Sequence, residues 1–201
     1  MRREEFERRL AASAPFARLK PEQVEALWRH YELMERWNAR INLTRVVELS
    51  EAVRVHYAES LFVAWRLPEG VRTVVDVGSG AGFPGFVVAV ARPELQVTLV
   101  ESDRRKAAFL REASDLVGNV RVEARRSVDL EGRWDAVASR AVRAEDAVEL
   151  AERAARWALL VGTDPPEGRG GWTWRKEELP SGRGWLWIGG ERDPDNDPGC
   201  A

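Results

Sequence analysis

Residues 74–85 read Val-Val-Asp-Val-Gly-Ser-Gly-Ala-Gly-Phe-Pro-Gly, and this stretch decides the fold. An apolar run that favours β-structure is followed by a helix pattern that starts at Pro84. Between and beside them lie the glycines Gly78, Gly80, Gly82 and Gly85. Because glycine carries no side chain, such a loop lets a ligand lie directly against the backbone. The stretch therefore predicts a strand, a glycine loop and a helix that together hold a ligand.

A second apolar run, residues 96–100, ends in the acidic residue Glu101. Glu101 follows Gly82 by 19 positions, which is close to the spacing of about 20 that places a carboxylate on ribose hydroxyls. The loop and this acid together predict a site for a nucleoside-containing cofactor. In that site Gly78 and Gly80 approach the ligand through their backbone, and Glu101 binds the ribose.

The identity of the cofactor needs a separate argument, because residues 80–85 also fit the dinucleotide pattern G-x-G-x-x-G. Asp76 stands two residues before the first glycine, where its carboxylate would oppose a pyrophosphate but suit a cation. An acid followed by G-x-G-x-G is typical of S-adenosylmethionine sites, whose ligand carries sulfonium and ammonium charges. We therefore predict S-adenosylmethionine near Asp76, with a nicotinamide cofactor or an unliganded turn as alternatives.

Length and composition are those of one α/β domain with a small addition, since the chain has 201 residues and is 44% hydrophobic. Every apolar run is shorter than the roughly 18 residues of a membrane span. The N-terminus lacks the apolar segment of a signal peptide. The single cysteine, Cys200, can form neither an intrachain disulfide nor a zinc cluster. These features predict a cytoplasmic protein with no membrane contact and no metal site.

The formal net charge of −2 argues against wholesale binding of nucleic acid but leaves room for a local basic patch. Residues 104–126 contain three acidic residues and seven basic ones. This segment is either a patch that faces RNA or an ordinary solvated surface. The basic residues are Arg104, Arg105, Lys106, Arg111, Arg121, Arg125 and Arg126.

Helical spacing dominates residues 1–66, with predicted helices over 2–14, from Pro21 to Ile41, and from an N-cap at Ser50 to about Leu67. From residue 72 onward, strands and helices alternate, which predicts a parallel sheet with helices on both faces. The predicted strands are 73–77, 96–101, 120–125 and 134–139, the predicted helices are 84–92, 104–117 and 144–160, and a final antiparallel pair contains Trp172, Trp174, Trp185 and Trp187. The predicted domains are a helical cap at 1–67, an α/β domain at 68–192 and a disordered acidic tail at 193–201.

Several stretches resemble the bacterial small-subunit ribosomal RNA guanine-N7 methyltransferases, also called the glucose-inhibited division protein B family. The resemblance covers residues 20–145, and the order of its motifs is not shared by generic methyltransferases. The matching stretches are Trp37–Thr44, His56–Leu61, Val75–Gly85, Val97–Asp103 with Lys106 and Phe109-Leu110, and Ser139–Val142. The resemblance implies an α/β Rossmann-like S-adenosylmethionine-dependent methyltransferase sheet with helices on both faces and an N-terminal helical cap, acting on 16S ribosomal RNA. We expect the partner to be this RNA or the small ribosomal subunit, and the protein to be a monomer.

Carried over by position, the resemblance implies that Gly78 and Phe83 belong to the cofactor loop and that Glu101 is the acid after the second strand. Arg140 matches the arginine after the fourth strand, which contacts cofactor or target, so Arg140 is the candidate catalytic residue and also a cofactor-binding one. Transfer to guanine N7 needs no base, because N7 already carries a lone pair.

Two departures from the family pattern bear on the site. The family has a small residue followed by glutamate after the third strand, where this chain has Ser127-Val128 and then Asp129. We expect the backbone at Ser127 and Val128, or the carboxylate of Asp129, to hold the adenine instead. Glu59 stands where the family has aspartate. A methyltransferase-fold protein with another substrate, a nicotinamide oxidoreductase and a binding module without catalysis remain as alternatives.

Overall fold

The computed structural model of the protein describes residues 1–140, 144–166 and 172–191. Within them the chain forms one seven-stranded sheet. The strands are β1 Thr73–Val77, β2 Gln96–Val100, β3 Val120–Glu123, β4 Ala136–Arg140, β5 Trp157–Gly162, β6 Trp172–Glu178 and β7 Trp185–Glu191. Their spatial order is β3-β2-β1-β4-β5-β7-β6.

Strands β1 to β5 are parallel, and β7 runs antiparallel to both β5 and β6. The chain winds outward from β1 to β3 and then returns to place β4 on the other side of β1. This reversal creates a crevice at the carboxyl ends of β1 and β4, which is where ligands bind in sheets of this kind. The expected Rossmann-like α/β fold is confirmed, and so is the antiparallel tryptophan pair.

The helices enclose the sheet and also form the N-terminal cap. The cap consists of α1 Arg2–Ser13, α2 Pro21–Asn38, and a continuous segment of α3 Leu49–Glu51, a π-helical stretch Ala52–Tyr57 and α4 Ala58–Arg66. The remaining elements are α5 Gly85–Ala91, α6 Arg104–Ser114, a 3-10 turn Ser127–Asp129 and α7 Ala144–Ala154. In the part of the chain described, no helix is long and apolar enough to cross a membrane.

Alternation along the strands divides the buried side chains between two faces of the sheet. Val74 and Leu99 face the cap, α5 and α6, and belong to one continuous apolar cluster with cap residues such as Tyr31. Val75 and Val77 face the opposite side, where α7 covers them. The cap and the sheet therefore share one hydrophobic core. A side chain at the carboxyl end of a strand points either toward the cap, α5 and α6 or toward α7.

The predicted N-cap at Ser50 is wrong, because the third helical segment begins earlier. Glu48 is the N-cap, and its carboxylate accepts hydrogen bonds from the backbone N–H groups of Ser50 and Glu51. These bonds lower the pKa of Glu48 to about 2. A glutamate can therefore satisfy the first N–H groups of a helix, a role for which serine is the commoner sequence signal.

The predicted helix over 144–160 is also wrong in its second half. Helix α7 ends at Ala154, and Trp157–Gly162 forms strand β5 between β4 and β7. Within it Ala158, Leu159 and Leu160 are buried, with neighbours on both faces of the sheet. A short continuous apolar run does not distinguish a buried strand from a buried helix. The predicted acidic tail at 193–201 and Val142 of the last family motif lie outside the described residues.

Candidate functional site

The glycine loop between β1 and α5 is tied to the end of β2 by its own backbone. The N–H groups of Gly78 and Ser79 donate to the carbonyl of Val100 at 2.9 and 3.0 Å. Gly82 has a φ of +88°, and a Cβ there would lie 3.0 Å from the Phe86 Cβ and 3.1 Å from His30. The position therefore needs a residue that adopts positive φ and has no side chain, and glycine is the residue that meets both requirements.

Glu101 closes the other side of this loop. Its Oε2 accepts a hydrogen bond from the Gly80 N–H at 3.0 Å, and its Oε1 accepts one from the Asp103 N–H at 2.8 Å. The carboxylate is therefore fixed between the glycine loop and the start of α6. Each carboxylate oxygen has a further lone-pair position, so Glu101 can also accept hydrogen bonds from ligand hydroxyls while it stays bonded to the loop.

A cavity of about 260 Å³ lies at the carboxyl ends of β1 and β2, on the α7 side of the sheet. It brings together three predicted site residues, Gly78, Ser127 and Val128. Four further polar residues line it that were not predicted from the sequence to belong to the site. They are Ser102, Arg125, Arg126 and Asp146. Ser102 could have been found from its place beside Glu101, whereas Asp146 comes from α7 and has no local sequence signal.

The 3-10 turn after β3 forms the outer wall of this cavity. Val128 is 50% exposed and lines it, so an apolar side chain is available to contact a flat ring. Asp129 is not among the lining residues, and its Oδ2 lies 3.3 Å from the Arg126 Nε. Of the two residues expected near adenine, Val128 therefore lines this cavity and Asp129 does not.

Asp76 lies beneath the glycine loop, on the opposite face of the sheet from the cavity. Its carboxylate is fully buried, and Oδ2 accepts a hydrogen bond from the Gly85 N–H at 2.9 Å. Burial raises the pKa of Asp76 to about 7. The structure thus differs from the expectation that Asp76 faces the ligand, because strand alternation directs position 76 toward α5. Among the described lining residues the acidic group is Asp146.

Phe83, expected to contact the cofactor, instead packs into the cap. Its ring stacks on the His56 imidazole with centroids 4.6 Å apart and meets the rings of His30 and Tyr57 edge-on. The His30 Nδ1 lies 2.8 Å from the Tyr57 hydroxyl. Phe83 therefore anchors the glycine loop to the helical cap.

Arg140, the candidate catalytic residue, leaves the end of β4 on the cap side. Its guanidinium donates to the Val55 carbonyl at 2.8 Å, approaches the His56 Nδ1 at 3.1 Å, and pairs with the Glu59 carboxylate at 2.9 Å. The side chain is only 15% exposed. The motif around His56 and the motif around Arg140, 84 residues apart, thus meet in one polar cluster.

The second oxygen of Glu59 extends this cluster to the turn between β6 and β7. Glu59 accepts a hydrogen bond from the Ser181 hydroxyl, and Arg54 donates to the Ser181 carbonyl at 2.8 Å. Burial raises the pKa of Glu59, which the Arg140 charge partly offsets. Arg140 therefore joins the sheet edge, the cap and the last hairpin, and it does not line the cavity among the described residues.

The hydrogen bonds fix the tautomer of His56. A guanidinium can only donate, so the His56 Nδ1 must accept, and its Nε2–H then donates to the Thr44 hydroxyl at 2.9 Å. Burial lowers the pKa of both His30 and His56 to about 3, and the Arg140 charge also lowers that of His56. Both imidazoles are thus neutral in the folded protein near pH 7.

The two imidazoles provide a direct pH test, because the chain has only two histidines. Their proton NMR signals are expected to show no titration between about pH 8 and pH 5. In the unfolded chain each ring protonates near pH 6.5. The stability that each contributes is therefore complete above that pH and is lost as the pH falls toward about 3.

The ring signals are a cleaner measurement than a stability curve. The raised pKa of Asp76 contributes stability at low pH that is lost as the pH rises through about 7, opposite in sign to the histidines. A midpoint near pH 6.5 for either ring signal would contradict the buried neutral state of that histidine.

Comparison of sequences identifies relatives over most of the chain. The profile of the GidB family, described as rRNA small subunit methyltransferase G, matches residues 23–156. A ribosomal RNA small subunit methyltransferase G from Rhodospirillum centenum is 39% identical over 174 residues, covering 80% of this chain and 79% of the relative. A protein of the same name from Dichelobacter nodosus is 37% identical over 170 residues, covering 80% of each chain.

Solved structures with low sequence identity share the fold. The magnesium protoporphyrin IX methyltransferase of Synechocystis with bound S-adenosylmethionine has a TM-score of 0.57 at 16% identity, covering 88% of this chain and 99% of that one. The ribosomal protein L11 methylase of Lactobacillus delbrueckii has a TM-score of 0.54 at 16% identity, covering 69% and 79% of the two chains.

Proposed function

The chain belongs to the family of ribosomal RNA small subunit methyltransferases G, and we propose that it transfers a methyl group from S-adenosylmethionine to N7 of a guanine in 16S ribosomal RNA. The observation that carries this proposal is the Glu101 carboxylate, which accepts a hydrogen bond from the Gly80 N–H at 3.0 Å in the same glycine loop whose Gly78 lines the 260 Å³ cavity. We expect the substrate to be either naked 16S RNA or the small subunit. We therefore expect the protein to act in the cytoplasm, and to act as a monomer.

The residues around the cavity fit S-adenosylmethionine. Glu101 provides the acceptor for ribose hydroxyls, and Val128 provides an apolar contact for the adenine ring, with backbone groups of the same turn for its polar edge. Arg125 and Arg126 also line the cavity, but they pair with Glu123 and Asp129 at 3.1 and 3.3 Å. Their charges are thus partly compensated before a cationic ligand enters.

When bound, S-adenosylmethionine supplies a methyl group attached to a positively charged sulfur. The protein's part is to align that methyl group with the guanine and to exclude competing geometries, because N7 carries a free lone pair. No residue has to remove a proton from guanine. This requirement agrees with the structure, since both histidines are buried in hydrogen-bonded positions and are not placed to act as bases.

The cap and the glycine loop determine this alignment together. Phe83 fixes the loop against His56, and Arg140 fixes the end of β4 against the same helical segment. The loop and the strand end are the two sides of the crevice at which cofactor and target must meet. The polar cluster of Arg140, His56 and Glu59 therefore supports the target side of the site.

Binding of the cofactor can be tested with a single substitution. The Glu101→Ala variant loses hydrogen bonds from ribose to a charged acceptor, so its dissociation constant for S-adenosylmethionine is expected to rise about tenfold to a hundredfold. Calorimetry on the purified chain measures this change, with S-adenosylhomocysteine as a second ligand and NAD as a competitor. Glu94→Ala, which removes an exposed carboxylate paired with Arg92, is the control.

The control variant is expected to bind as the unmodified chain does, and a melting curve shows whether Glu101→Ala stays folded. Unchanged affinity in a folded Glu101→Ala variant would show that the ribose is held elsewhere. Binding of NAD with no response to either adenosyl ligand would contradict the proposed function itself.

A further inference from the structure

A second polar cavity, also of about 260 Å³, lies outside the cofactor site, where the cap meets the start of α6. Its walls are the segment 38–42, which follows α2, and the residues Asp103, Arg105 and Lys106. The polar residues that line it from the cap are Asn38, Arg40 and Asn42. Three cations and two amides thus converge on one concave site, and a single carboxylate faces them.

The walls of this cavity are held in place by specific contacts. The Asn38 Oδ1 accepts hydrogen bonds from the N–H groups of Leu43 and Thr44, at 2.8 and 3.0 Å, which fold the segment back on the helix end. Trp37 donates from Nε1 to the Glu112 carboxylate at 2.8 Å, joining α2 to α6. The cavity is therefore a preformed feature and does not depend on a ligand to assemble it.

The charges in the cavity are mostly uncompensated. The Asp103 carboxylate accepts hydrogen bonds from the N–H groups of Arg105 and Lys106 as the N-cap of α6, and the Arg105 guanidinium lies 3.5 Å from it. Within residues 1–140, 144–166 and 172–191, no carboxylate lies within 4.0 Å of the Arg40 or Lys106 side-chain nitrogens. Because Asp103 occupies the helix end, an anion here would be bound by the side chains of Arg40 and Lys106.

The cavity also lies at the edge of the sheet formed by the carboxyl ends of the strands, beside the proposed cofactor site. Asp103 donates its N–H to Glu101, the residue assigned to the ribose. Of the seven basic residues between 104 and 126, five flank this edge, at the start of α6 or after β3, whereas Arg111 and Arg121 lie toward the opposite edge. The basic patch predicted from sequence is thus divided by the fold, and its larger part borders the cofactor site.

We propose that the cavity formed by residues 38–42 and the first turn of α6 binds a backbone phosphate of the RNA substrate, with Arg40 and Lys106 as the phosphate ligands. The inference rests on the proposed function, because it assumes that RNA is the methyl acceptor. A phosphate held there positions the strand relative to the cofactor but carries no base information. Guanidinium and ammonium groups are the usual ligands for this purpose.

The test uses the full chain carrying both Arg40→Ala and Lys106→Ala, with 16S RNA or small subunits as acceptor. The Michaelis constant for the acceptor is expected to rise at least tenfold. The reason is that the variant lacks two charge-assisted contacts to phosphate, and the loss of such contacts weakens binding by about this factor. The slope of log affinity against log salt concentration is expected to fall by about 1 for each cation removed. The dissociation constant for S-adenosylmethionine, measured by calorimetry, is expected to stay unchanged.

Arg111→Ala is the matched control, since Arg111 is an exposed residue of the same helix at its far end. It is expected to leave the Michaelis constant for the acceptor as in the unmodified chain. A double variant that behaves like Arg111→Ala would overturn the phosphate site, and weakened cofactor binding would assign the cavity to the cofactor instead. Failure of the unmodified chain to methylate RNA would contradict the proposed function, which is a separate outcome.

Discussion

The Arg140→Ala variant is expected to lose about 3–5 kcal/mol of unfolding free energy, because it leaves the buried Glu59 carboxylate without its cation. Glu59 is 2% exposed, its Oε2 lies 2.9 Å from the guanidinium, and burial already raises its pKa. Chemical denaturation at neutral pH measures this loss. Arg29→Ala breaks an exposed pair with Glu25 and should cost less than about 1 kcal/mol as the control.

The same variant is expected to lose most methyl transfer, and a second substitution separates the two effects. Adding Glu59→Gln removes the unpaired buried charge, so the double variant should regain much of the lost stability but not the activity. Arg140→Lys should restore little, since a point charge cannot reach Val55, His56 and Glu59 together as the planar fork does. Near-normal methyl transfer by the stabilised double variant would show that Arg140 acts through folding alone.

The Gly85→Ala variant is also expected to lose both stability and affinity for S-adenosylmethionine. A Cβ at this position would lie 2.4 Å from the Leu99 side chain and 2.6 Å from the Asp76 carboxylate, both within the packed core. Such overpacking costs about 1–3 kcal/mol of unfolding free energy. Because the Gly85 N–H also binds Asp76, any shift that relieves the contact moves α5 and the glycine loop. Affinity for S-adenosylmethionine is therefore expected to fall together with stability.

Gly118→Ala is the matched control for this prediction. Nothing lies within 4 Å of a Cβ at Gly118, and its φ is outside the region that requires glycine. That variant should be neutral or gain up to about 1 kcal/mol, because alanine restricts the unfolded chain. Melting curves and calorimetry on both variants measure the two effects. A Gly85→Ala variant as stable and as tightly binding as Gly118→Ala would contradict the close packing of Gly85 against Leu99 and Asp76.

Most of the fold could be predicted because local signals and global packing agree. The apolar runs before and after the glycine loop predict strands β1 and β2, and the loop itself marks the turn into α5. The helical spacing of residues 1–66 predicts the helices of the cap. The exception is β5, because the short apolar run Trp157–Gly162 follows α7 after only Ala155 and Arg156, with no Gly or Pro to mark the end of the helix. Whether that run is helix or strand is decided by the neighbouring strands, which supply partners on both sides, and sequence periodicity does not contain this information.

The candidate site was predictable only in part. The sequence indicated which residues lie at the edge of the sheet but not the face toward which their side chains point. Spacing correctly placed Glu101 beside the glycine loop, because a strand end and a loop at one sheet edge must be close. It did not reveal that Asp76 and Arg140 leave their strands on the cap side while the cavity lies on the α7 side. Asp146 reaches its cavity through the packing of α7, which no local motif encodes.

Nucleoside analysis of methylated RNA tests directly whether the chain methylates guanine N7 in 16S RNA. The purified chain is incubated with labelled S-adenosylmethionine and small subunits or 16S RNA from cells that lack this activity, and the RNA is digested and examined by mass spectrometry. We expect labelled 7-methylguanosine in 16S RNA, and we expect the label to be lost with the Glu101→Ala variant when the cofactor is limiting. Absence of label, or label on an exocyclic amine or a ribose hydroxyl, would contradict this expectation.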